Sequence, residues 1–292
     1  MKNAERPNLA WPFHHSPIFH TPKGIPYLKG PGAIVVGQTA TNFDHMDEFL
    51  EPFGFTTYLD DPDDLPQGEE LVKVGGQLCY MSFGEQRTKN VDAPRYFNNI
   101  KAQRHGSVTE HAQLSMVIYG VSRSLTHELV RHRAGTAFSQ LSQRYVSGRL
   151  LRFVEREEYQ KDEVLHDRFE KRIDFLAEEY DFIAERLYAR QLAGDPQMSD
   201  EHKTGLRKKV NQAARSCLPN EAETALLFTG NVRALRHILE MRGAGGAEPE
   251  IRALALLCLK MMKEVWPNLT DDFYLVDLID GSQAIGVRHS KI

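Results

Sequence analysis

Arg131-His132-Arg133-Ala134-Gly135-Thr136-Ala137-Phe138-Ser139-Gln140-Leu141-Ser142-Gln143-Arg144-Tyr145 sets three arginines and a histidine beside a Ser-Gln-x-Ser-Gln series, with Gly135 as a breaker between them. Arginine's planar, permanently charged fork of donors is the side chain best matched to phosphate. Two grips, Arg131/Arg133 and Arg144, separated by a turn are spaced to hold two anionic ligands close together. The segment therefore reads as a site for two nucleotides. A solvated basic helix end followed by a polar loop explains the same composition, since charge runs are most often exposed faces.

The flanking sequence supplies the framework. Upstream, residues 112–121 alternate apolar with small or polar residues and are expected as a strand. Ser122 or Ser124 offers an N-cap for a helix through Leu125, Leu129 and Val130 into the basic run. Helical spacing begins near Glu69, with Leu71, Val74, Leu78 and Met81 expected in the core and Gly75-Gly76 as an interruption. A second helix is expected over 93–104.

Downstream, 155–194 is long, charged and helical, with Phe169, Ile173, Phe175-Leu176 and Ile183 as the expected buried stripe. A helix over 200–217 stops at Pro219. Residues 224–228 read as a short strand broken by Gly230, after which Asn231 caps a helix through Met241. Gly243, Gly245 and Gly246 end it, and 248–266 form the next helix, with Ile251, Leu254, Ala255 and Cys258 at core spacing. Strands mixed with long helices point to an α+β fold, a mixed or antiparallel sheet flanked by long helices.

Residues 1–66 hold nine of the fourteen prolines and are expected as an extended arm lying on another surface, with 67–292 as the catalytic domain. Within the arm, 32–37 read as a short strand that lacks a GxGxxG fingerprint. His14, His15 and His20 lack the acidic or cysteine partners of a metal site, so no metal is expected. With 292 residues, 41% hydrophobic and 26% charged, the composition is that of a globular protein with a sizeable core. The net charge of −4 argues against bulk attraction to nucleic-acid polymers. Cys79, Cys217 and Cys258 are odd in number and far apart, and read as buried thiols in a reducing cytoplasm. No apolar run reaches membrane-spanning length, and residues 1–7 carry no signal-peptide core.

Three further clusters concentrate polar chemistry. His105-Gly106-Ser107-Val108-Thr109-Glu110-His111 precedes the first strand and lacks zinc-ligand spacing. Glu128 and Arg131 stand at i,i+3, as an ordinary surface pair would, with Arg123 nearby. Asn231-Val232-Arg233-Ala234-Leu235-Arg236-His237 starts a helix whose free N–H groups suit an anion. Arg233 and His237 share a face there, and Arg236 with Glu240 reads as an exposed pair.

Together these clusters resemble the flavin-dependent thymidylate synthase family over roughly residues 70–275. Arg131-His132-Arg133 is followed by eight residues and Ser142, the longer of the two spacings. His105-x-Ser107-x-x-Glu110-His111 resembles the upstream motif. Asn231-x-Arg233-x-x-x-His237-x-x-x-x-Arg242 with Ala247-x-x-Glu250-Ile251-Arg252 resembles the downstream one.

The resemblance implies a homotetramer with active sites across subunit interfaces. It implies reductive methylation of dUMP to dTMP, with 5,10-methylenetetrahydrofolate as carbon donor and NADPH as reductant by way of FAD. By motif position, Ser107, Arg131, His132, Arg133, Gln140, Asn231, Arg233 and His237 would hold FAD. Arg123, Glu128, Leu129, Val130, Arg131, Gln140, Leu141, Ser142, Gln143, Arg144, Arg215 and Arg242 would surround dUMP, and His105 would lie near the flavin face where folate stacks.

Uracil C5 is a poor nucleophile, and a guanidinium at the ring edge stabilises the charge that activates it; Arg242 takes this catalytic role. Ser142 invites a nucleophile reading, but no histidine is placed as its base. No cysteine lies in the motifs, against the cysteine-dependent class of thymidylate synthase. Two rival readings remain: a non-catalytic nucleotide- or RNA-binding module, and a metal-dependent hydrolase whose ligand set the sequence does not supply.

Overall fold

The computed structural model describes residues 11–61 and 65–291; the first ten residues of the expected arm lie outside it. The described part opens with β1 (Phe13–His14), β2 (Ile18–His20), β3 (Pro26–Leu28) and β4 (Gly32–Gln38). Then come α1 (Met46–Leu50), α2 (Gln67–Cys79), α3 (Ala93–Ala102), β5 (Gln113–Ser122), α4 (Arg123–Leu129) and β6 (Thr136–Gln140). The middle holds β7 (Phe153–Val154), α5 (Glu157–Gln160), α6 (Glu163–Leu192) and α7 (Lys203–Ala214). The last part comprises β8 (Glu223–Asn231), α8 (Val232–Arg242), α9 (Pro249–Val265), α10 (Pro267–Thr270), β9 (Phe273–Asp277) and β10 (Gln283–Val287).

Five strands form an antiparallel sheet in the order β1-β4-β5-β8-β6. Its pleat sorts the residues. The row Val35, Met116, Phe228, Phe138 faces the helices, and Phe138 stacks on Phe228 at 5.0 Å between ring centroids. The neighbouring row Ile34, Val117, Leu227, Ser139 faces away, leaving Ile34 and Leu227 exposed. The α+β class expected from the sequence is the one observed. The arm is different: β4 lies inside the sheet, with Ala33 and Val35 buried in the main core, because its own alternation gives it one apolar face.

Other departures have clear causes. In α2, Val72 is buried but so are Glu69, Lys73 and Gln77, while Leu78 is exposed. The polar heads turn inward because each finds a partner: Glu69 accepts from the Asn268 amide and side chain at 2.6 Å, Lys73 donates to Asn90, and Tyr58 donates to Gln77. Gly75-Gly76 does not break this helix. The two glycines make room for the His111 ring and for the Tyr96 hydroxyl, which a Cβ would meet at 3.0 and 2.2 Å. In α6, Phe169 and Ile173 are buried as expected, but Phe175 is exposed and Tyr180 takes the next core position.

Strand β8 runs through Gly230 to Asn231. Arg236 is not an exposed partner of Glu240. It is 4% exposed and makes a two-pronged bond to Asp272 at 2.8 and 2.8 Å, tying α8 to the C-terminal hairpin β9–β10. Of the cysteines, only Cys258 is buried. No helix among the described residues is long and apolar enough to cross a membrane.

Candidate active site

The sheet has two working ends, and the register fixes what gathers at each. At one end Thr136 pairs with Gly230 and Gln113 with Asn231. This brings together the Gly135 turn, the start of α8 and the 3-10 turn Gly106–His111. Gly135 has φ +70°, and its amide oxygen accepts from the Asn231 N–H at 2.9 Å. A Cβ there would lie 2.6 Å from the Asn231 amide nitrogen, so the turn needs glycine twice over. Asn231 in turn caps α8 by accepting from the Ala234 N–H at 2.9 Å.

Around this turn Arg131, Arg133 and Ser107 are exposed, and the side chains of Arg131 and Arg133 have no ion-pair partner among the described residues. Arg233 pairs with Glu110 at 2.6 Å, and the His132 and His237 rings meet edge to face at 5.7 Å.

At the other end Ser122 pairs with Glu223 and Gln140 with Leu226. Gln140, on the helix-facing side of β6, donates to the hydroxyls of Thr126 and Thr224 at 3.1 and 3.2 Å. Arg123 begins α4 here with Arg215 beside it. Burial, and then the Arg215 charge, hold its guanidinium below the ordinary arginine range. Two cations kept close, neither with an ion-pair partner among the described residues, are a frame for an anion.

Ser142 accepts from the Arg144 amide at 3.3 Å, and no imidazole bonds its hydroxyl among the described residues. The Leu141 N–H is bonded to Ala225 O. Gln143 is 6% exposed, and its amide nitrogen is buried without a hydrogen-bond partner.

Arg242, the last residue of α8, links the two ends. Its Nε donates to His132 Nε2 at 2.9 Å, one terminal nitrogen donates to the Glu128 carboxylate at 2.6 Å, and the other to the Glu128 backbone oxygen at 3.2 Å. Glu128 is therefore the partner of Arg242 rather than of Arg131. Burial, followed by the charge of Arg242 and the nearness of His237, keeps His132 below the usual histidine range. Its Nε2 is an acceptor, so the neutral ring carries its proton on Nδ1.

Leu129, between these groups, is 1% exposed with its side chain in the core, which leaves only its backbone for a ligand; Val130 is half-buried. His105 ends the α3 loop, its amide bonded to Ile100 O.

Residues 63–268 match the family model described as thymidylate synthase complementing protein. A flavin-dependent thymidylate synthase of Mycobacterium leprae (strain Br4923) is 35% identical over 233 residues, covering 78% of this chain and 91% of that protein. Another, from Mycolicibacterium vanbaalenii, is 39% identical over 220 residues, covering 75% and 85%. The chain belongs to the flavin-dependent thymidylate synthase family. As a family member it is a flavin-dependent enzyme of the methyltransferase class.

Its fold is also that of a UMP/dUMP methylase, PolB from Streptomyces cacaoi, solved with 5-Br dUMP. The TM-score is 0.56 over 83% of this chain and 94% of that one, at 17% identity. In this thymidylate synthase family member the sequence motifs missed four groups at the Gln140 end of the sheet: Thr126, Thr224, Ser122 and Glu223. Only the strand register could have revealed Thr224, and only the packing of α4 on the sheet Thr126. Ser122 was legible as a cap but not as part of a site.

Proposed function

We propose that the enzyme carries out the reductive methylation of dUMP to dTMP, with 5,10-methylenetetrahydrofolate as carbon donor and NADPH as reductant by way of FAD. The observation that carries this reading is Arg242, bonded at once to His132 of the Arg-His-Arg cluster and to Glu128 of the nucleotide cluster. A guanidinium has five N–H bonds. Three are used by these contacts, which leaves two to meet a uracil edge and stabilise negative charge moved onto the ring.

Arg123, Arg215 and Arg144 would take the phosphate, and Gln140, Leu141, Ser142 and Gln143 would enclose the nucleoside. The orphaned Gln143 amide is a donor suited to a ligand oxygen.

The residues at the Gly135 turn suit FAD. A close-approach glycine, a capped helix start, the exposed guanidiniums of Arg131 and Arg133, and the Ser107 hydroxyl all match a pyrophosphate-bearing ligand, with Asn231, Arg233, His237 and His132 around it. When bound, the flavin supplies the two-electron transfer that no side chain here can perform. His105, at the same end, is assigned to the face where folate stacks.

Within one chain the Gly135 turn and Gln140 stand at opposite ends of β6, about 14 Å apart at ordinary strand rise, with only Arg242 bridging between His132 and Glu128. We therefore read the working site as shared between copies in a homotetramer, with the exposed Ile34–Leu227 face of the sheet as one contact surface. Three free cysteines suit a cytoplasmic setting. The test is a visible absorption spectrum of the purified protein with and without FAD, followed by NADPH-dependent turnover of dUMP. Yellow protein that forms dTMP is the expected result; colourless protein that leaves dUMP untouched overturns the reading.

A further inference from the structure

The downstream motif Ala247-x-x-Glu250-Ile251-Arg252 has no role in the site described so far, yet Glu250 reaches it through a single hydrogen-bonded step. Its carboxylate accepts from the Ser122 backbone N–H at 2.6 Å with one oxygen and from the Ser122 hydroxyl at 2.7 Å with the other. Ser122 is 3% exposed and is itself the N-cap of α4, accepting from the Leu125 N–H at 3.1 Å.

Two residues earlier a second carboxylate holds the same corner: Glu223 accepts from the Gly120 N–H at 2.7 Å and is gripped by Arg152 at 2.6 Å through each of two nitrogens. The corner is irregular, with a register shift in β5 between Ile118 and Val121 and Gly120 at φ +66°, so regular strand pairing alone does not set the direction in which α4 departs.

We propose that Glu250 is a positioning residue for nucleotide binding. By holding Ser122 it fixes the start of α4 and aims Arg123, the next residue, at the phosphate beside Arg215. The proposal rests on the phosphate role given to Arg123 above. Helix α4 is then clamped at both ends by residues on either side of one loop. Arg242, before the loop of residues 243–248, takes Glu128 at the far end, and Glu250, after it, takes Ser122 at the near end. A seven-residue helix has too few internal hydrogen bonds to hold its own direction, so these two anchors decide where its side chains point.

Glutamine at 250 keeps an oxygen for one Ser122 donor but turns an NH2 toward a hydroxyl that already accepts from Leu125. In the flavin-loaded enzyme, E250Q is expected to raise KM for dUMP about tenfold, one lost phosphate contact, with kcat and flavin content within about twofold. The decisive readout is the double-mutant cycle with Arg123→Ala. If Glu250 acts through Arg123, E250Q leaves KM nearly unchanged in the R123A background. An equal factor in both backgrounds, or no rise in either, overturns the proposal. S122A, which leaves the carboxylate in place, is expected to move KM in the same direction and replaces E250Q should that variant not fold. If R123A alone leaves KM for dUMP unaltered, it is the phosphate assignment that falls.

Discussion

Arg242 Nε donates to His132 Nε2 at 2.9 Å, joining the end of α8 to the middle residue of the Arg-His-Arg run 110 positions earlier. This bond makes the histidine an acceptor and the arginine a shared member of both clusters.

Arg242→Ala should lower kcat for dTMP formation by about 100-fold or more, the usual cost of a donor aimed at developing charge. Flavin content should persist, because the Gly135 turn and the α8 cap do not depend on Arg242. Lysine should not rescue it, since one ammonium cannot reproduce the fork that meets His132 together with one carboxylate oxygen and the backbone oxygen of Glu128. Turnover assays paired with flavin absorbance check this, and loss of flavin in R242A would show that the role is misassigned.

His132 gives a pH dependence of definite sign. Its folded-state pKa lies below the ordinary 6.5 because burial and Arg242 disfavour the imidazolium. Below that ordinary value the unfolded chain binds the proton more readily than the folded one, so stability falls as pH drops and levels off above it. The melting temperature of wild type should decline on acidification through this range more steeply than that of His132→Gln. Parallel curves would sink the assignment.

Gly135→Ala should cost stability and flavin together. Alanine at φ +70° is strained by about 1–2 kcal/mol, and its Cβ would displace the Asn231 side chain that caps α8. Gly246→Ala, where a Cβ meets nothing within 4 Å, is the control and should change neither melting temperature nor flavin content.

Asp272 pairs with Arg236 with no exposure to solvent, and Asp272→Ala leaves a buried guanidinium uncompensated at a cost of about 3–5 kcal/mol. Replacing both partners with apolar residues of similar volume should cost much less than either single change. Chemical denaturation of the three variants distinguishes this from simple additivity.

Much of the α+β frame could be read from periodicity and caps alone: Ser122 and Asn231 sit where N-caps were expected, and β5, β8, α8 and α9 follow their apolar spacing. The errors share one physical origin. Glu69, Lys73, Gln77 and Arg236 are polar residues buried against specific distant partners, and a local pattern cannot see a partner 17 to 200 positions away. The same holds for Glu128, whose sequence neighbour Arg131 is a plausible mate until the fold brings Arg242 to it. The motif residues themselves could be read because they cluster at the ends of elements, but their division between the two ends of the sheet needed the register of β6 against β8.

That register has an evolutionary consequence. Side chains alternate along a strand, so inserting or deleting one residue within β6 would carry Gln140 from the helix-facing side to the opposite side and away from Thr126 and Thr224. The one-residue difference between the two spacings from Arg-His-Arg to serine must then be absorbed outside the paired residues, at the turn around Ala134 and Gly135 or in the loop after Gln140. A change of length in this segment is therefore expected at those two places, while the five paired positions behave as a ratchet that moves only in steps of two.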